Sequence, residues 1–282
     1  MLDRCIISGF ADEIDPMLDV QIDLLKKLGQ DHLVLRAADG KGVLAITNDE
    51  MREIRKRLDA AGIRVSSLGS PIGKIGILDD FEPHFEAFQH AVELAEILGT
   101  RNIRMFSFYI PKDEDPAKYR DEVLRRLRIL RDYAAEKGIV LLHENEKGIY
   151  GDNALRCLDL FRELGNDHFK CIFDFANFIQ CGQETMEAYE MLKDYIVYIH
   201  VKDALSENGR VVPAGEGDGR LAEIFEKLNA AGFDGFLSLE PHLAEFMSLK
   251  ELEAPRGDKK LSDGIEAYTI AHTALVKLLG RD

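Results

Sequence analysis

Glu144, Asp174, His200 and Glu240 share one setting in the sequence: each closes a short apolar run (LLHE, CIFD, IVYIH, FLSLE) and opens into a more polar loop. Three carboxylates and one imidazole make a hard, oxygen-rich set that suits one divalent cation such as Mn2+, Mg2+, Co2+ or Zn2+. Any one of them alone is more simply a loop cap or half of an ion pair. Four at the ends of four successive strands point to one metal site. The spacing agrees, because alternate strand residues face the same way: Ile196, Tyr198 and His200 share a face, as do Phe236, Ser238 and Glu240.

The elements that must carry these groups alternate regularly. Short β-rich runs are predicted at 5–8, 33–36, 64–68, 102–106, 139–144, 170–173, 196–200 and 236–239. Between and after them, helical periodicity covers about 16–28, 48–61, 81–98, 116–137, 152–164, 184–194, 220–231 and 263–279, with Asn48 as a helix cap. Eight consecutive βα units in 282 residues predict a single (β/α)8 TIM barrel, one domain over 1–282, with active-site groups at the C-terminal strand ends. A doubly wound open sheet is the alternative, but SGFADE after the first strand is not the GxGxxG expected of it. The glycine-rich GSPIGKIGI is long enough to overhang a site.

With the ligand residues in place, the chain resembles the xylose isomerase-like barrel superfamily of sugar and sugar-phosphate isomerases and epimerases. That group includes tagatose 3-epimerases, hydroxypyruvate isomerase, inosose dehydratase and, more distantly, endonuclease IV. The carriers are HENE at 143–146, FDFAN at 173–177, IHVKD at 199–203, PAGEGDG at 213–219 and LSLEPH at 237–242. The resemblance implies that Glu144, Asp174, His200 and Glu240 bind the metal and that Glu144 and Glu240 also act as base and acid on opposite faces of the substrate. A cation that chelates a ketone and its neighbouring hydroxyl acidifies the C–H between them, which a nearby carboxylate then deprotonates. Many relatives carry histidine three residues after the strand-six aspartate; here it is Asn177, which contacts substrate oxygens but carries no proton.

Other groups near the strand ends are secondary candidates. His143 beside Glu144 is a candidate base, although strict alternation turns it toward the helices and a supporting role. Glu146 returns to the ligand side, to hold substrate or to pair with Lys147. Lys74 and Lys202 are read as substrate contacts; Arg104, in an apolar strand, needs a structural carboxylate or a ligand, and Arg36 reads as structural. His242 and Glu216 read as structural. Phe106, Phe108 and Tyr109 are candidates for an apolar wall, and the segment 250–260 for a solvated loop, of a kind that in this superfamily sometimes packs between subunits.

Composition narrows the partners. A net charge of −15, from 51 acidic and 36 basic residues, repels nucleic acid. Cys5, Cys157, Cys171 and Cys181 form no CxxC pair and read as reduced thiols of a cytoplasmic protein. No signal-peptide pattern and no membrane-length apolar run is present. The expected function is therefore isomerisation or epimerisation of a small-molecule sugar through an enediolate, in a monomer or homo-oligomer. Elimination of a β-substituent from a keto-sugar or keto-glycoside is the alternative. An endonuclease IV-like repair enzyme needs further histidines at strand ends, whereas His32, His84, His90, His168 and His272 fall at strand starts or on helices. A non-catalytic sugar-binding barrel has no need of the full quartet.

Overall fold

The computed structural model describes residues 1–244 and 263–281, so the 250–260 segment lies outside the described residues. Eight parallel strands stand side by side in chain order. They are β1 (Ile6–Gly9), β2 (His32–Leu35), β3 (Arg64–Leu68), β4 (Asn102–Met105), β5 (Val140–Glu144), β6 (Phe169–Asp174), β7 (Ile196–Val201) and β8 (Phe236–Leu239). β8 pairs back onto β1, and a parallel bridge between Phe10 and Val34 links β1 to β2, so the sheet is a nearly closed barrel. This cyclic order excludes the doubly wound sheet.

Helices α1 (Leu18–Lys27), α2 (Asn48–Ala61), α3 (Glu82–Leu98), α4 (Arg120–Glu136), α5 (Ala154–Leu164), α6 (Phe175–Gln180), α7 (Thr185–Leu192), α8 (Leu221–Ala230) and α9 (Gly264–Leu279) surround it. The cap of α2 is Thr47, not Asn48. Thr47 Oγ1 accepts the Glu50 N–H at 3.3 Å while Glu50 Oε2 accepts the Thr47 N–H at 2.9 Å, a reciprocal capping box. Asn48 instead donates to Glu93 on α3 at 2.9 Å. Helix α6 is absent from the sequence reading because FANFIQ, at six residues, is too short to show a helical stripe. Asp174 starts it by accepting the Asn177 N–H at 2.8 Å.

Alternation along the strands sorts side chains into two layers. Phe10, Val34, Leu142, Ile172 and Tyr198 fill the barrel interior, while Leu33, Ile103, Leu141, Ile199 and Leu237 face the helices. Register places the polar groups above that interior. A shift between Cys171 and Ile172 puts Asp174 opposite His200, and His200 lies opposite Ser238, so these side chains turn inward at one level. Without the extra residue, Asp174 would pair with Ile199 and the two ligands would not share a face.

Gly9, the last residue of β1, leaves room for the phenol of Tyr268 on α9: a Cβ there would lie 2.1 Å from the Tyr268 hydroxyl. That hydroxyl also receives a hydrogen bond from Gln30 Nε2 at 3.0 Å. Gly9→Ala is expected to lower unfolding free energy by about 1–3 kcal/mol through overpacking. Tyr268→Phe in the same chain should recover part of the loss, as measured by urea unfolding of the single and double variants.

Candidate metal centre

The four expected ligands converge. Glu144 ends β5, Asp174 ends β6, His200 is the inward residue near the end of β7, and Glu240 follows β8. Each offers one atom, those atoms lie within 4.8 Å of one another, and all four residues are buried. His200 Nδ1 is 2.9 Å from Glu144 Oε1, 3.5 Å from Glu240 Oε2 and 3.8 Å from Asp174 Oδ2. Asp174 Oδ2 is buried and accepts no hydrogen bond, although the Lys202 ammonium lies 3.1 Å away. A buried carboxylate oxygen left open beside two more carboxylates and an imidazole fits one divalent cation.

Cations ring this cluster. Arg104 Nη1 lies 3.3 Å from Glu144 Oε2 and 3.5 Å from Glu240 Oε1. Arg36 bonds Asp12 at 2.8 Å, Glu13 at 3.1 Å and Glu240 at 3.3 Å. Lys202 Nζ lies 2.8 Å from Glu240 Oε2, and Lys74 pairs with Glu146 at 3.1 Å. Both guanidiniums sit over the Phe10 ring, at 4.5 and 4.8 Å from its centroid, which fixes their planes beneath the carboxylates.

Among the described residues, six carboxylates in this network (Asp12, Glu13, Glu144, Glu146, Asp174, Glu240) face four permanent cations (Arg36, Arg104, Lys74, Lys202). The carboxyl groups outnumber these cations by two, and His200 and His242 stand among them as groups that can take up a proton. The titration directions follow from that excess. Burial disfavours a charged imidazole at His200, yet Glu144 and Glu240 override it and raise its pKa to about 9. His242, 3.5 Å from Glu240 Oε1 and 3.6 Å from Glu13 Oε1, is raised in the same way against burial and the Lys202 charge. Burial likewise opposes charge on Glu240, but Lys202 and His242 hold its carboxyl well below the usual range.

The remaining expected residues divide. Asn177 Nδ2 donates to Glu144 Oε1 at 3.3 Å and to the Asn145 carbonyl at 3.0 Å, so it orients a ligand carboxylate. Lys74, Arg104, Lys202 and Glu146 all belong to the ion-pair network, and Phe106 lies beneath Lys74 and Arg104 at 4.3 and 5.0 Å. Phe108 packs away from the cluster against Phe81 and His84, and Tyr109 bridges to Gly76 and Ile149 at the rim.

His143 is a correction to the expected acid–base set. Its Nε2 is 3.0 Å from Ser107 Oγ, and its ring packs on Phe161 and Phe169 in the helix-facing layer. Burial there lowers its pKa to about 3, so it is neutral and aimed away from the cluster. Among the described residues, His32, His84, His90, His168 and His272 contribute no atom to a metal-binding group. Burial raises the thiols of Cys5 and Cys181 to about 11 and about 12, which makes neither a nucleophile at neutral pH.

Two groups escaped the sequence reading. Asp12 and Glu13, in a one-turn helix after β1, supply the counter-charges of Arg36, and Glu13 Oε2 also accepts the His242 N–H at 2.7 Å. His242 is held at a left-handed φ of 48° beside Glu240. Asp203 explains PAGEGDG: its carboxylate accepts N–H bonds of 2.9–3.0 Å from Ala204, Gly215, Gly217 and Gly219. A Cβ at Gly217 or Gly219 would meet Asp203 Oδ1 at 2.4 or 2.7 Å, so the motif is shaped by that carboxylate, and Glu216 is one of its turn residues. The signal was the repeated glycine spacing after IHVKD.

An eight-stranded parallel barrel brings three carboxylates and an imidazole together at its C-terminal mouth, a group that could hold one metal ion. The chain belongs to the xylose isomerase-like TIM barrel family, whose pattern matches residues 22–266. It spans about half the length of the first curated relatives it matches: a 3-dehydroshikimate dehydratase from Bacillus anthracis is 24% identical over 132 residues, 47% of each chain. An L-ribulose-5-phosphate 3-epimerase from Salmonella paratyphi A is 25% identical over 264 residues, 88% of this chain and 89% of that protein. Among solved structures, an L-ribulose 3-epimerase has a TM-score of 0.75 at 17% identity, covering 98% of this chain and 95% of its own. A family member from Mycobacterium smegmatis in complex with magnesium has a TM-score of 0.67 at 18% identity, covering 98% and 97%. At such identity the structures show the shared fold. The dehydratase and the two epimerases among these relatives are enzymes. No helix of the described residues is long and apolar enough to cross a membrane.

A metal ligand must be a neutral imidazole, whereas His200 with a pKa of about 9 carries a proton at neutral pH in the metal-free chain. Mn2+ uptake at pH 7 is therefore expected to release at least one proton, and affinity should rise with pH until about 9. Calorimetric titration in two buffers of different ionisation enthalpy measures the release directly; buffer-independent heats would contradict it.

Proposed function

We propose that this chain is a divalent-metal-dependent enzyme that isomerises or epimerises a hydroxy-ketone sugar or sugar phosphate through an enediolate. The observation that carries the reading is the arrival of two buried glutamates, Glu144 from β5 and Glu240 from β8, at one cluster with Asp174 and His200. The two strands are three apart round the barrel, so the carboxylates approach a bound sugar from different sides. The likeness to L-ribulose-5-phosphate 3-epimerase supports a ketose-type substrate.

A bound Mn2+, Mg2+, Co2+ or Zn2+ would supply electrophilic polarisation of the ketone and its neighbouring hydroxyl. The chain's own residues do the rest. Despite burial, His200 and Arg104 keep Glu144 low in pKa, so it stands as the carboxylate that accepts the proton from carbon. Glu144 then gives that proton back to the neighbouring carbon in isomerisation; in epimerisation Glu240, held despite burial as a carboxylate by Lys202 and His242, first takes up a proton from solvent and delivers it from β8. Asn177 orients Glu144 through its amide, and Lys74, Glu146, Lys202 and Arg104 offer donors and acceptors to the sugar hydroxyls. The barrel mouth keeps these charges out of bulk water, which strengthens each contact.

A second reading, elimination of a β-substituent after the same proton abstraction, is favoured by Asn177 at the position where many relatives have histidine. The likeness to 3-dehydroshikimate dehydratase adds to it. In that case Glu144 takes the proton from carbon and passes it to the leaving oxygen, so that the substituent departs as a neutral hydroxyl compound.

Metal-loaded chain incubated in D2O with ketoses, ketose phosphates and keto-glycosides separates the two. Deuterium at the carbon beside the carbonyl with no product loss marks isomerisation or epimerisation; an enone or a released aglycone marks elimination. Glu144→Gln and Glu240→Gln, each assayed at saturating Mn2+, are expected to lower kcat roughly 100- to 10,000-fold. Full turnover in both variants would remove these carboxylates from the chemistry.

A further inference from the structure

Lys202 stands in an unusual relation to the ligand set. It continues the inward face of β7 two residues beyond His200 and is 4% exposed. Its Nζ lies 2.8 Å from Glu240 Oε2 and 3.1 Å from Asp174 Oδ2. Those same oxygens are the ones facing the imidazole, 3.5 and 3.8 Å from His200 Nδ1. An ammonium thus occupies two of the oxygens that a metal bound beside His200 needs.

The other cations of the site do not compete in this way. Arg36 and Arg104 approach Glu240 through Oε1, the oxygen turned away from Lys202. Their guanidiniums are planar, permanently charged and seated over Phe10, whereas a lysine ammonium rides on a flexible four-carbon stem. The contact to Asp174 Oδ2 has no hydrogen-bond geometry, so it neutralises that oxygen without satisfying it. A monovalent and a divalent cation cannot share the same two oxygens without strong mutual repulsion in a buried setting. Glu146, itself paired with Lys74 at 3.1 Å, is a further carboxylate whose charge acts on this ammonium, an anion for the side chain to turn toward.

We propose that Lys202 is an exchangeable cation: its ammonium neutralises Asp174 and Glu240 in the metal-free chain and yields both oxygens when a divalent ion binds, turning toward Glu146 and the sugar cleft. This rests on the metal-site reading given above. Lys202 then keeps three like charges together before any metal arrives, at the cost of weakening the ion's affinity by competition.

The test is Mn2+ titration of the metal-stripped full chain, followed by the paramagnetic resonance of free Mn2+ and by thermal melting. Lys202→Met is expected to bind Mn2+ at least 10-fold more tightly than the parent, to melt lower when metal-free, and to gain more in Tm on adding metal. Lys202→Gln serves the same comparison if the methionine variant does not fold. Lys202→Arg, which keeps the charge, should bind Mn2+ no more tightly than the parent. Equal or weaker binding by the methionine and glutamine variants, with the parent still binding, overturns the exchange and leaves the metal site standing. If neither parent nor variants bind Mn2+, Mg2+, Co2+ or Zn2+, the metal site itself fails and the exchange fails with it.

Discussion

Burying like charges is the constraint on which the rest of this molecule depends. Glu144, Asp174 and Glu240 are almost fully removed from water within one small cluster. A single unpaired carboxylate in such a place costs several kcal/mol, and three together are untenable without counter-charge. The barrel meets this by drawing cations from several strands: Arg36 follows β2, Arg104 lies in β4, and Lys202 follows β7, between the strands of Asp174 and Glu240. Asp12 and Glu13 exist in turn to hold Arg36, so one end of the barrel becomes a continuous network of charges in which each member fixes the next.

Much of this was legible in the sequence, and for a clear reason. Period-two alternation is a local property, so the inward direction of Glu144, His200 and Glu240, and the outward direction of His143, could be read from neighbours alone. The ordering of strands also followed, because short βα connections leave few topologies open. What lay hidden was long-range pairing. Nothing near Arg36 in sequence says that its partners are Asp12, Glu13 and Glu240, since the last is brought close only when β8 meets β1. Helix α6 was hidden because six residues are too few to display a helical period, and Asp174's cap becomes visible only with the fold.

The glycine motif at 213–219 shows the same limit from another side. Its residues marked a family resemblance, but their purpose is defined by a carboxylate ten residues earlier. Asp203 collects backbone N–H donors from both ends of the loop, and the glycines are there because any side chain at Gly217 or Gly219 would collide with it. The loop after β7 is therefore folded around an anion that belongs to the chain itself, close to where His200 and Lys202 emerge.

The place where the barrel closes has a mechanical meaning. The four ligand-bearing strands, β5 to β8, are contiguous and continuously paired, while the two joins with a single paired position, Phe10 to Val34 between β1 and β2 and Leu68 to Ile103 between β3 and β4, lie in the rest of the wall. The first of these joins is crossed by charge instead, since Arg36 after β2 pairs with Asp12 and Glu13 after β1. The half of the wall that carries the ligands is thus held by backbone pairing throughout, and Arg36 ties across the β1–β2 join what a ladder of hydrogen bonds ties elsewhere.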